Sequence, residues 1–173
     1  RLRAGSCDSY LGCDVNIIQD IDGDGKPDIV CGANHDGLGG SWGSGAVYRI
    51  SSATGSVLSG MPGSSYFGST VTVGPDINGD GIQDFVASRG YNSPGAGYIR
   101  MFSGASGALL WQASSNENYY GVINCFVPDI NSDGKSDLMM LAEFSIHAVS
   151  GATGQPIYSR PLPSGYTWAE IGP

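Results

Sequence analysis

The chain has 173 residues, 28 of them Gly and only 14% charged, which fits one domain or a short run of modules built from short strands and turns rather than long helices. Its formal net charge is −8, with eight Lys and Arg spread along the sequence; this argues against a nucleic-acid partner and against an anionic membrane surface. No stretch is long and apolar enough to span a bilayer, and the sequence opens on Arg1 with neither an initiator Met nor a leader, so it reads as a mature or excised piece.

Taken in chain order, the sequence writes one unit three times. Residues 1–9 form a lead-in. The first repeat, 10–65, runs from Tyr10 and Gly12 through the nonapeptide "DIDGDGKPD" (residues 20–28), "DIVCGA", the loop "NHDGLGGSWGSG", "GAVYRI", the turn "SSATG" and "SVLSG". The second, 66–118, has Tyr66, Gly68, "STVTV", "DINGDGIQD" (76–84), "DFVASR", the loop "GYNSPGAG", "GYIRMF", "SGASG" and "ALLWQA". The third, 119–165, has Tyr119, Gly121, "DINSDGKSD" (129–137), "DLMMLA", almost no loop, "FSIHAV", "SGATG" and "QPIYSR". Each unit is predicted to be four short strands in roughly 50 to 56 residues, the length and content of a propeller blade. Residues 166–173, "YTWAEIGP", parallel "YFGSTVTVGP" and read as the start of a fourth repeat. The predicted fold is therefore all-β, with about three four-stranded blades plus the first strand of a fourth, as part of a longer protein or an oligomeric assembly.

Ten of the sixteen acidic residues lie in the three nonapeptides, so the acidity is local. In D-x-[DN]-x-D-G-x-x-D, alternate side chains converge only if the backbone turns sharply, and Gly25, Gly81 and Gly134 at the sixth place permit positive φ. An all-oxygen ligand set without His or Cys suits a hard cation, calcium before magnesium. The expected ligands are Asp20, Asp22, Asp24, the Lys26 carbonyl and Asp28; Asp76, Asn78, Asp80, the Ile82 carbonyl and Asp84; and Asp129, Asn131, Asp133, the Lys135 carbonyl and Asp137. An EF-hand would need a carboxylate at place twelve and flanking helices, but that place holds Cys31, Ala87 and Met140 in apolar, β-rich runs. Three calcium ions would add six positive charges to the −8 and make stability calcium-dependent by mass action.

Four cysteines, Cys7, Cys13, Cys31 and Cys125, permit two disulfides in three connectivities, or one disulfide with free thiols, or buried free thiols. Gly39-Gly40-Ser41-Trp42-Gly43 fits G-x-S-x-G, but a nucleophile elbow needs a following helix, His and acid, and here the match lies in a glycine-rich hairpin loop. His35 reads as loop decoration and His147 as strand surface. The acids Asp36, Glu117 and Glu143 show no glycosidase-like pairing in sequence, so a non-catalytic chain is expected. Trp42, Tyr91 and the Tyr119-Tyr120 pair are candidate exposed aromatics for stacking on sugars or anchoring a protein, with Tyr119, which recurs with Tyr10 and Tyr66, assigned to blade packing.

The second repeat carries "YFG" at residues 66–68, then "DINGDGIQD", then "PGAG" at 94–97; the first and third carry "YLG" and "YYG". These residues resemble the FG-GAP repeats of the integrin alpha β-propeller and their bacterial secreted relatives, over nearly the whole chain. The resemblance implies a β-propeller whose nonapeptides join the first and second strands of each blade and hold calcium. It also implies a secreted, extracellular or cell-surface adhesion or recognition module with a protein or glycan ligand. Two other roles stand beside it: a structural subunit of a homo-oligomer or filament, and a carbohydrate-binding accessory module of a secreted enzyme.

Overall fold

A computed structural model describes residues 10–38, 40–89 and 97–163; the lead-in, Tyr91 and the expected fourth-repeat strand lie outside them. Twelve strands are present and no helix occurs among the described residues. They form three four-stranded antiparallel sheets in simple meander order: β1 (Leu11–Ile18), β2 (Asp28–Ala33), β3 (Ala46–Ile50) and β4 (Val57–Pro62); β5 (Phe67–Val73), β6 (Phe85–Arg89), β7 (Gly97–Phe102) and β8 (Leu109–Ser115); β9 (Ile123–Val127), β10 (Asp137–Leu141), β11 (Ser145–Val149) and β12 (Pro156–Pro161). We call the sheets blades 1, 2 and 3. Each expected apolar run became a strand, with ends moved by a residue or two.

The second and third strands of blades 1 and 2 are buried almost throughout, because the sheet faces are covered by neighbouring blades and by loops. The outer strands β4 and β12 are largely exposed. One core joins Ile18, Val30, Val47 and Met61 of blade 1 to Phe67, Val71, Phe85 and Phe102 of blade 2. A second joins Val86, Ile99, Met101 and Trp111 of blade 2 to Tyr120, Leu138, Met140 and Val149 of blade 3. Trp111 also donates its indole N–H to the Gly151 carbonyl across that boundary, at 2.7 Å.

The Tyr-x-Gly signature has a backbone cause. Tyr10, Tyr66 and Tyr119 all adopt positive φ (50°, 63° and 60°), and Gly12, Gly68 and Gly121 follow with φ of 90°, 86° and 80°. A Cβ at Gly68 would come within 2.3 Å of the Ala46 carbonyl of the preceding blade. Only glycine lets the inner strand approach that closely. Each third strand shifts register one step before the Ser-Gly turn, at Arg49/Ile50, Met101/Phe102 and Ala148/Val149. The turns then close identically, with Gly55, Gly107 and Gly154 donating to the carbonyls of Ser51, Ser103 and Ser150.

Candidate metal centres

The three nonapeptides connect the first and second strands of their blades, and their hydrogen bonds repeat. The first Asp of each loop gathers main-chain N–H groups: Asp20 from Gly23, Asp24 and Gly25; Asp76 from Gly79, Asp80 and Gly81; Asp129 from Ser132, Asp133 and Gly134. Gly25, Gly81 and Gly134 take positive φ as the spacing requires (86°, 93° and 84°). The fifth-place Asp accepts the seventh residue's N–H, from Lys26, Ile82 or Lys135.

The ninth-place Asp is fully buried in every blade. Its Oδ2 accepts the N–H of Ile21, Ile77 or Ile130 at the start of its own loop. Its Oδ1 accepts the N–H of Ser52, Gly104 or Gly151 in the turn between third and fourth strands. One carboxylate therefore ties the two hairpins of a blade together. Burial pushes the Asp84 carboxyl above its ordinary range despite its N–H donors. In contrast, the N–H of Gly25 leads the bonds that hold Asp20 below the usual carboxylate range. Asp133 is lowered chiefly by the Asn131 side chain.

Carboxylate oxygens of Asp20, Asp22 and Asp28 lie within 4.8 Å of one another, as do those of Asp76, Asp80 and Asp84. Among the described residues these are the groups of three carboxylates that converge so closely. Asp129, Asp133 and Asp137 share the loop's hydrogen bonds without forming such a group, and Asp24 stands outside the cluster of loop 1.

Loop 1 differs from the others for a chemical reason. In loops 2 and 3 the third-place Asn donates through Nδ2 to Asp80 (2.8 Å) and Asp133 (2.9 Å). Ser103 and Ser150, from the third-to-fourth strand turns, donate to the same two carboxylates at 2.9 Å. Loop 1 has Asp22 in the third place, which cannot donate, and the corresponding Ser51 Oγ is buried with no partner. A buried orphan hydroxyl is costly, and so is a cluster of carboxylates without a counter-charge. The residues of loop 1 thus fit a hard divalent cation, which would give its carboxylates the positive partner that the Asn N–H donors partly replace in loops 2 and 3. The serine contributions escaped the sequence reading, although the recurrent Ser of "SSATG", "SGASG" and "SGATG" was their signal.

Two other clusters lie away from the loops. His35 sits between Tyr10, Trp42 and Tyr66, with ring centroids at 4.4, 5.1 and 5.0 Å, and its Nδ1 lies 2.7 Å from Asn34 Oδ1. It is the centre of an aromatic group rather than loop decoration, and Trp42 and Tyr10 are more than 60% exposed. Ser41 of the G-x-S-x-G match pairs with Ser44 at 3.0 Å, while the imidazole of His35 turns to Asn34. His147 is not a strand-surface residue: its Nε2 meets Glu117 Oε1 at 3.1 Å and Ser145 Oγ at 2.6 Å, and Ser145 donates to Glu117 Oε2 at 2.6 Å. Ser145 and Glu117 converge on the same imidazole nitrogen, whereas a nucleophilic triad needs its acid on the other. Tyr120, expected on the surface, is buried in the core between blades 2 and 3, because it occupies the place of the fully buried Phe67. Cys13, Cys31 and Cys125 are free thiols, so of the alternatives open for them the unpaired one holds; Cys7 lies outside the described residues.

The crystal structure of rhamnogalacturonan lyase YesW resembles this chain with a TM-score of 0.57 at 17% identity, over 88% of this chain and 31% of the lyase. The chain thus spans under a third of the lyase's length, and at this identity the likeness shows the fold alone: blade-type, all-β. Comparison with curated protein sequences gives no match. Residues 20–87 match the family model of the FG-GAP-like repeat. That stretch runs from the first acidic loop through the second and into β6, so this part of the chain is similar to the FG-GAP-like repeat.

Proposed function

We propose that the chain is an extracellular, calcium-stabilised recognition or adhesion module whose loops play a structural, non-catalytic part. The observation that carries this reading is the convergence of three carboxylates in loop 1 and again in loop 2. Bound calcium would neutralise these groups. Asp20, Asp22 and Asp28 would hold it in loop 1, and Asp76, Asp80 and Asp84 in loop 2, with the third loop a weaker counterpart. Extracellular modules bind calcium at about 10⁻⁴ to 10⁻³ M, so the ion would be present outside cells and scarce in the cytosol. Differential scanning calorimetry with calcium and with chelator tests the assignment: the melting temperature rises with calcium, and an unchanged one removes it.

A second reading, recognition of a glycan, draws support from the exposed Trp42 and Tyr10 rings around His35, since aromatic faces stack on sugar rings. Titration of oligosaccharides against the wild-type chain and Trp42→Ala checks it: affinity lost in the variant supports this reading, and equal binding or none removes it.

A further inference from the structure

The acidic loops differ at their third and fourth places, and loop 2 combines two residues that neither of the others pairs. Loop 1 has Asp22-Gly23, loop 2 has Asn78-Gly79 and loop 3 has Asn131-Ser132; Asn78 is the one Asn in the sequence that a Gly follows. All of these residues are exposed. An Asn side chain loses its amide without any enzyme when the peptide nitrogen of the next residue attacks its Cγ. The attack is helped by a side chain folded forward over that peptide, a base for the N–H proton, a donor for the oxygen on which charge develops, and an uncrowded nitrogen.

Loop 2 supplies all four. Asn78 Oδ1 accepts the Asp80 N–H at 2.9 Å, so the side chain curls over the Gly79 peptide unit and its oxygen already has a donor. The Gly79 N–H points at Asp76 Oδ1, 2.6 Å away, and Asn78 Nδ2 is held by Asp80 Oδ2 at 2.8 Å. Gly79 has φ of 83°, and a Cβ there would meet nothing within 4 Å, so the backbone is free to swing its nitrogen toward Cγ. Loop 3 makes the same three bonds, at 2.8, 2.6 and 2.9 Å. There, however, the side chain of Ser132 stands beside the nitrogen, on a backbone already at φ of 65°.

We propose that Asn78 is a self-modifying site, deamidated in the folded chain by its own loop. The Gly79 nitrogen bonds to Asn78 Cγ and gives its proton to Asp76. The Cγ–Nδ2 bond then breaks, and Nδ2 leaves as ammonia with that proton. The five-membered imide left behind adds one water: opening at Cγ gives an aspartate, and opening at the other carbonyl gives an isoaspartate. Water is consumed, ammonia is released, and nothing is oxidised or reduced. The aspartate product has the third-place carboxylate that Asp22 gives loop 1, and it lacks the Nδ2 donor to Asp80. The isoaspartate product lengthens the backbone by one carbon inside the turn and breaks the loop's bonding. Loop 1 thus carries the converted chemistry from the start, loop 2 acquires it with age, and loop 3 resists it.

Peptide mapping by mass spectrometry tests this on the folded chain, kept in chelator so that no cation competes for Asp76. The mass gain of an amide-to-acid conversion is followed at each Asn over time. Asn78 should convert roughly ten times faster than Asn131, the effect of a barrier difference of about 1.4 kcal/mol, and at least as fast in the folded chain as in urea. Gly79→Ser should bring Asn78 down to the rate of Asn131, and Ser132→Gly should raise Asn131 to the rate of Asn78. Asp76→Ala, with a wild-type far-ultraviolet dichroism spectrum, should slow Asn78 severalfold by removing the base. Equal rates at Asn78 and Asn131 in the folded wild-type chain overturn the proposal. So does conversion confined to urea, or a folded Asp76→Ala variant that converts as fast as the wild type.

Discussion

Replacing Asp84 by Ala removes the carboxylate on which the two hairpins of blade 2 meet. The side chain is fully buried and accepts N–H bonds from Ile77, Asn78 and Gly104 at 2.8, 3.1 and 3.0 Å. The Asn78 donor is only partly buried and can turn to water, while the Ile77 and Gly104 donors lie in buried bonds. A buried donor left without a partner costs about 1–3 kcal/mol, so two give about 2–6 kcal/mol. Burial holds the ionised Asp84 at a cost, and relief of that cost places the expectation in the lower part of that range. In a chain of this size that is a fall of roughly 10 °C in melting temperature. Urea unfolding in chelator measures it, with Asp76→Ala alongside. The loop bonds of Asp76 are exposed, so that variant should lose about 1 kcal/mol or less in chelator while losing most of the stabilisation by calcium. Equal losses for the two variants in chelator would show that the buried carboxylate is not what holds the hairpins together.

Three further outcomes are expected. Asp22→Asn gives loop 1 the donor that Asn78 and Asn131 give loops 2 and 3, so it should stabilise the chelated chain by about 0.5–1.5 kcal/mol and weaken calcium binding as ligand charge falls, both read by calorimetry. Ser132, at φ 65°, stands where loops 1 and 2 have Gly23 and Gly79; Ser132→Gly should gain about 1 kcal/mol in chemical unfolding by removing left-handed strain. Burial pushes the Cys31 thiol up to about 11, so at pH 8 iodoacetamide should modify exposed Cys125 well before Cys31, as peptide mapping would show. Because the folded value lies above the unfolded one, the stability linked to Cys31 is complete below the ordinary thiol range and declines as pH climbs toward 11.

Strand content and loop placement were legible because they rest on local periodicity and on glycines with a fixed backbone task. "DIVCGA" and "GYIRMF" became β2 and β7 residue for residue. What remained hidden joins residues far apart in the chain. Asp28 finds the Ser52 N–H across 24 positions and His147 finds Glu117 across 30, and neither partner is marked by its neighbours. The aromatic group needed Tyr10, His35, Trp42 and Tyr66 to meet at the edge between two blades. Tyr120 was misread because its exposed-looking "NYYG" setting outweighed its register with Phe67. Nor could spacing alone separate loop 1 from its copies, since one atom, the Asn nitrogen that Asp22 lacks, makes the difference.

The buried ninth Asp grips Ser52, Gly104 and Gly151 by their main-chain N–H groups, asking nothing of the side chains there. The turn can therefore drift in sequence, as "SSATG", "SGASG" and "SGATG" show, without loosening the blade. Each blade carries its own fastener within its own stretch of chain. A gene encoding such a unit can be duplicated, deleted or exchanged whole, and the new blade arrives already able to close itself. Selection is then left free to vary the loops at the opposite end, where Trp42 and Tyr10 meet the solvent.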